Sequence, residues 1–200
     1  MQNPADNNQA TLILASASRY RKSQLLQLVN NFECIPAEID ETALPGEVAA
    51  DMVERLALAK AHEIAANRHD AIVLGSDQAA VLGDRILGKP GNVENARRQL
   101  AQCSGNSVSF ETAVALVQHS TGLEKLTRVT TLVEFRTLSA EEISRYVARD
   151  NPVDCAGSFK IESAGSSLFE KVVSEDPTAL VGLPLIATAR MLRQAGIVLP

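Results

Sequence analysis

Three short stretches of this chain carry residue types suited to phosphate and metal chemistry. Residues 15–22 read Ala-Ser-Ala-Ser-Arg-Tyr-Arg-Lys. An apolar run leads into Ser16 and Ser18, and a helical pattern begins with Arg19, Arg21 and Lys22. Free N–H groups at a helix start, with serine hydroxyls and arginines beside them, suit an anion such as a phosphate. The same residues equally suit an N-capped helix with solvated cations. Ser76-Asp77-Gln78 follows the apolar run Ala71 to Leu74, which places Asp77 at the C-terminal end of a strand. Ligands of open α/β sheets bind outside such ends. A carboxylate there can hold magnesium or deprotonate water, or it can sit in an ordinary turn. Asp40-Glu41, in an acidic loop, suits either a hard cation or a solvated turn. Lys60 on the apolar face of a long helix and Lys89 in Gly88-Lys89-Pro90 are two further candidate phosphate ligands.

Other motifs fail on inspection. Gly83-x-x-x-x-Gly88-Lys89 begins like a phosphate-binding loop, but Pro90 stands where Ser or Thr should hold magnesium. His62-Glu63 opens like a zinc-protease helix, yet position 66 is Ala66. No serine sits on a Gly-x-Ser-x-Gly elbow, and His69 and His119 fall in expected surface turns. Cys34, Cys103 and Cys155 form no Cys-x-x-Cys pair and are odd in number. They read as three small hydrophobes in or near the core of a protein in a reducing compartment.

The elements that must hold these residues follow from periodicity. Short apolar strands are expected at 11–16, 32–36 and 71–75. Helices are expected at 19–29, 49–66, 93–102, from Ser139 to about Arg149, and at 184–195. Gly83-Asp84 signals a two-residue hairpin turn, and two long strands are expected at about 107–118 and 124–136. Ser139 and Glu142 have the spacing of a capping box. Helices and strands alternate early and an antiparallel pair lies in the middle. That pattern predicts a mixed α/β sheet flanked by helices. Residues 1–10 read as a polar, flexible tail ahead of a single domain over 11–200.

Composition sets the outer limits. The 200 residues carry 19 Lys and Arg against 24 Asp and Glu, a net charge of −5, which argues against a general nucleic-acid binder. A small anionic substrate held by a few local cations remains compatible with it. No apolar stretch reaches the roughly 18 residues of a membrane-spanning helix, and the first ten residues lack the order of a signal peptide. The expectation is a protein of the cytoplasm.

Taken together, these segments resemble the Maf family of nucleoside triphosphate pyrophosphatases. The resemblance runs almost from Leu12 to Gly196 through LILASASRYRK, DET at 40–42, RLALAKA at 55–61, GSDQ at 75–78 and ILGKP at 86–90. It continues through SG at 104–105, FRTLSAEEISRYV, CAGSFKIE at 155–162 and VGLPL at 181–185. It implies the twisted, mixed-sheet architecture of inosine-triphosphatase-like enzymes, with two lobes around a cleft, in a homodimer. It also implies hydrolysis between the α- and β-phosphates with a divalent cation, Mg2+ or Mn2+. The family's catalytic acid maps onto Asp77. Its phosphate-binding and metal-site positions map onto Ser16, Arg21, Glu41, Lys60 and Lys89, with Glu41 and Asp77 able to hold the metal.

Branches of the family differ at positions that map onto Tyr20, Gln78 and Glu162. The branch acting on dTTP and UTP typically has Arg, Thr and Gln there. The branch resembling 7-methyl-GTP pyrophosphatase typically has Trp, Gln and Glu. This chain has two of those three, with Tyr replacing Trp, and Arg19 stands where the family usually has Pro. Physical chemistry favours the second branch. 7-Methylguanine is cationic, an aromatic face attracts a cation, and Glu162 can accept two hydrogen bonds from the guanine edge. The expected substrate is 7-methyl-GTP or a similar noncanonical nucleotide. The rival readings are a dTTP/UTP pyrophosphatase and a nucleotide-binding regulator of cell division with little turnover.

Overall fold

Leu12–Leu14 (β1) is fully buried and can only be a central strand. It lies between two parallel neighbours, Glu33–Cys34 (β2) and Ile72–Leu82 (β3). The structure is a computed structural model that describes residues 10–200. All but Ala10 of the expected tail lies outside the described residues. The helix expected over 19–29 is Arg19–Leu25 (α1), N-capped by the Ser18 hydroxyl. Beyond it the chain tightens into turns, with Gln27 and Leu28 bonding three residues back, and Asn30-Asn31 offers no helical propensity to carry it further.

Arg85–Leu87 (β4) folds back on β3 through the Gly83-Asp84 turn. Ser107–Gln118 (β5), Leu123–Phe135 (β6) and Phe169–Ser174 (β7) complete the sheet as an antiparallel meander. The seven strands run β2-β1-β3-β5-β6-β7, with β4 beside β3. This is the expected mixed sheet, with one added strand: β7 is mostly exposed at the sheet edge, so it carries no buried alternation to reveal it.

Ala49–Ala65 (α2) covers one face, setting Val53, Leu56, Ala57 and Ala61 against Ile13, Val73, Ala113 and Ala115. Leu185–Gln194 (α5) covers the other face beside α1. Val93–Cys103 (α3) and Ala140–Asp150 (α4) enclose a second cluster around Phe110, Phe135 and Phe159. The capping box opens α4 as expected, with Ser139 and Glu142 each bonding the other's backbone N–H. Gly75 is required where α2 crosses β3, since a Cβ there would lie 2.1 Å from the Ala57 carbonyl oxygen. Of the cysteines only Cys103 is a core residue; Cys34 is exposed on the short edge strand and Cys155 is half-buried.

One difference bears on function. The strand expected to end at Ser76-Asp77 continues to Leu82, paired with β5 from Val73 to Val81. Asp77 therefore sits mid-strand. The polar residues that mimic a strand end are satisfied inside the fold: the Ser76 hydroxyl donates toward the carbonyls of Ala113 and Gly182.

Candidate active site

The opposite edge of β3 explains why polar residues belong there. On that side β1 pairs only with Ile72–Leu74, and β4 only with Ala80–Leu82. On that edge residues 75–79 have no strand beside them, and a cavity of about 670 Å³ opens at this gap. Ser16, Tyr20, Arg21, Glu41, Lys60, Asp77, Gln78, Lys89 and Glu162 all line it. The chain thus brings together all nine positions mapped by the family resemblance, from segments as far apart as α1 and the loop before β7; Lys22 and Asp40 do not line the cavity.

Alternation along β3 sends Asp77 to the α2 face and Gln78 to the other. On the α2 face, Lys60 is buried at 7% exposure. Its Nζ lies 2.6 Å from Asp77 Oδ1 and 2.6 Å from Glu41 Oε1. A buried ammonium is tolerated only when paired, and here two carboxylates pair it. Burial works to raise the Glu41 carboxyl, but Lys60, Lys89 and Arg21 outweigh it and hold the group below its ordinary value. Arg21 donates through Nε to the Gly182 carbonyl at 2.8 Å. Burial pushes its guanidinium below the usual range, with Asp77 and Glu41 opposing. Ser16 is buried and its hydroxyl accepts from the Ser18 N–H; Lys89 is exposed at the rim.

On the other face, the Gln78 amide nitrogen donates to Thr112 Oγ1 at 3.0 Å and to the Ala179 carbonyl at 2.9 Å. These acceptors fix the amide orientation and leave its oxygen as the end available to a ligand. Gly182 accepts from both Arg21 and Ser76 and adopts φ +122°, a backbone conformation that side chains disfavour. Buried Asp176 anchors this segment, accepting from the N–H groups of Thr178, Ile186 and Ala187.

The far wall adds to Tyr20 and Arg19 a residue that the sequence reading did not single out. Asp154 lines the cavity and accepts from the Tyr20 hydroxyl at 3.1 Å, while Arg19 donates to the Tyr20 oxygen at 2.6 Å. The Arg19 guanidinium lies 4.8 Å from the Tyr20 ring centroid. Burial raises the Tyr20 hydroxyl, with the Arg19 bond working against it. Lys160 approaches Asp154 at 3.6 Å from the other side. Asp154 directly precedes the CAGSFKIE stretch, which was the available signal. The carbonyls of Gly182 and Ala179 had none, because a backbone acceptor has no residue type.

Glu41 and Asp77 are the residues suited to a metal. Among the described residues no group of three His, Cys, Asp or Glu side chains is spaced for one. A hard divalent cation that keeps its waters and takes phosphate oxygens needs only one or two carboxylates, and two converge here on a single point, the Lys60 nitrogen. The donor set fits magnesium or manganese.

Fold and site together define a mixed α/β protein with a charged cleft at the unpaired edge of its central strand. The same fold occurs in the solved Ham1 protein of Staphylococcus aureus, with a TM-score of 0.52 at 14% identity, covering 93% of this chain and 98% of that one. Residues 11–195 match the Maf-like protein family, and the chain belongs to it. Proteins named 7-methyl-GTP pyrophosphatase are similar over most of their length. That of Alkalilimnicola ehrlichii is 53% identical over 88% of each chain. That of Xanthomonas axonopodis pv. citri is 51% identical over 94% of this chain and 98% of its own. That of Aromatoleum aromaticum is 49% identical over 94% and 97%. Among the described residues no helix is long and apolar enough to cross a membrane.

Proposed function

We propose that this chain hydrolyses 7-methyl-GTP to 7-methyl-GMP and pyrophosphate. The observation that carries this reading is the convergence of Lys60, Asp77 and Glu41 in the cavity that Tyr20 and Glu162 also line. The names of relatives about half identical to the chain support the same substrate.

In this reading a water attacks the α-phosphorus, the bond to the bridging oxygen of the β-phosphate breaks, and pyrophosphate leaves. Asp77 takes the proton of the attacking water. Charge grows on the leaving group, and Arg21, Lys60 and Lys89 oppose it from fixed positions, with the Ser16 hydroxyl as a further phosphate ligand. Asp77 and Glu41 would hold the divalent cation, which when bound adds positive charge beside the phosphate oxygens. Lys60 lies between both carboxylates and keeps them aimed at one point. At the other end Glu162 accepts from the guanine edge and the Tyr20 ring faces the cationic base. Gln78 offers its amide oxygen nearby. A homodimer is part of this reading, and light scattering on the purified protein tests that part.

Product analysis decides the reaction. Purified protein is given 7-methyl-GTP, GTP, dTTP and UTP with Mg2+ or Mn2+. The expected products are the monophosphate and pyrophosphate, with 7-methyl-GTP turned over fastest. Faster turnover of dTTP or UTP would overturn the substrate, and orthophosphate as first product would overturn the reaction.

A further inference from the structure

Tyr20 does not present a bare ring. The Arg19 guanidinium sits 4.8 Å from its centroid and bonds its hydroxyl at 2.6 Å. Asp154 holds both, at 3.1 Å from the Tyr20 hydroxyl and 3.5 Å from Arg19. Arg19 is 71% exposed and Asp154 47%, so the cluster forms the mouth of the cavity and both residues line it. A cation on an aromatic ring draws on the same electron density that a cationic base would use.

We propose that Arg19 and Asp154 are opposed selectivity residues, Arg19 lowering and Asp154 raising the preference for a cationic over a neutral base on Tyr20. The inference rests on the nucleotide reading above. Its physical content is simple. 7-Methyl-GTP and GTP differ by one methyl group and the positive charge it confers on the base. Arg19 meets that charge with its own and already occupies the ring. Asp154 pulls in the other direction, but Arg19 and Lys160 neutralise it. Removing Arg19 therefore both uncovers the ring and releases a carboxylate, and the two effects share a sign.

The test is a ratio, which cancels the general loss of triphosphate affinity that follows from deleting a cation. Dissociation constants for 7-methyl-GTP and GTP are measured by calorimetry with EDTA present, so binding is read without turnover. In Arg19→Ala the preference for 7-methyl-GTP is expected to rise about two- to fivefold, the size of an exposed cation–π contact. In Asp154→Asn it is expected to fall by a similar factor. Both changes should shrink in about 1 M potassium chloride, because exposed charges are screened. A ratio that moves less than the two- to fivefold scale in either variant, or the same way in both, overturns the inference even if wild type releases pyrophosphate. Absence of 7-methyl-GTP turnover by wild type with Mg2+ or Mn2+ would instead overturn the proposed function on which the inference rests.

Discussion

At one end of the cavity a buried lysine is bonded to two carboxylates; at the other an exposed arginine lies over a tyrosine and reaches an aspartate. Both ends pair cations with anions, yet they differ in what holds them. Asp77 stands in a strand paired along its length with β5, and Lys60 on a helix packed against that strand. Arg19 and Asp154 stand on the first residue of a short helix and in a loop. A buried pair is costly to break, because either partner left alone is a desolvated charge. An exposed pair is worth little and can be rearranged. Under the proposed function, the contrast would hold the phosphate chemistry rigid and leave the choice of base adjustable.

The sharpest way to break this contrast is Asp77→Asn. Pyrophosphate release should fall about 10²- to 10⁴-fold on every triphosphate, with the order of preference among bases unchanged. Release at the wild-type rate would remove Asp77 as the base. The base end should behave differently. Glu162→Gln loses a charged acceptor, which is worth about 10- to 100-fold in kcat/KM for 7-methyl-GTP, with a much smaller change for dTTP. An equal loss on all nucleotides would erase the distinction between the two ends.

The smallest effect is electrostatic and confined to the phosphate end. Glu41 is held below its ordinary value partly by Lys89. A depressed carboxylate stabilises the fold above its unfolded pKa, and that contribution is lost as pH falls through the folded value. In Lys89→Met the Glu41 carboxyl should titrate at higher pH, so the loss begins sooner on acidification. Carbon NMR of the Glu41 carboxyl through the acid range reads the shift, and an unmoved titration would show that Lys89 does not reach it.

Much of this was legible where the signal is local. The Gly83-Asp84 turn, the Ser139–Glu142 box and the helical composition of 49–66 each act within a few residues, and each appears where expected. Signals that depend on distant partners were misread or absent. Ser76-Asp77-Gln78 looked like a strand end because nothing nearby reveals that Thr112, Ala179 and Gly182 will satisfy those side chains. The co-location of the nine site residues followed from the family resemblance. Spacing alone could not bring Glu162 to the same cavity as Ser16.

Gly75 ties the packing of α2 on β3 to the position of Lys60. A methyl group 2.1 Å from the Ala57 carbonyl would force α2 away from β3, and Lys60 travels with α2. Displacements of about 1 Å at reacting groups can cost on the order of 10²-fold. Inherited variation at a position that touches no ligand would then be felt as lost turnover. Selection cannot adjust the fit of this helix on its strand without also moving Lys60 against Asp77.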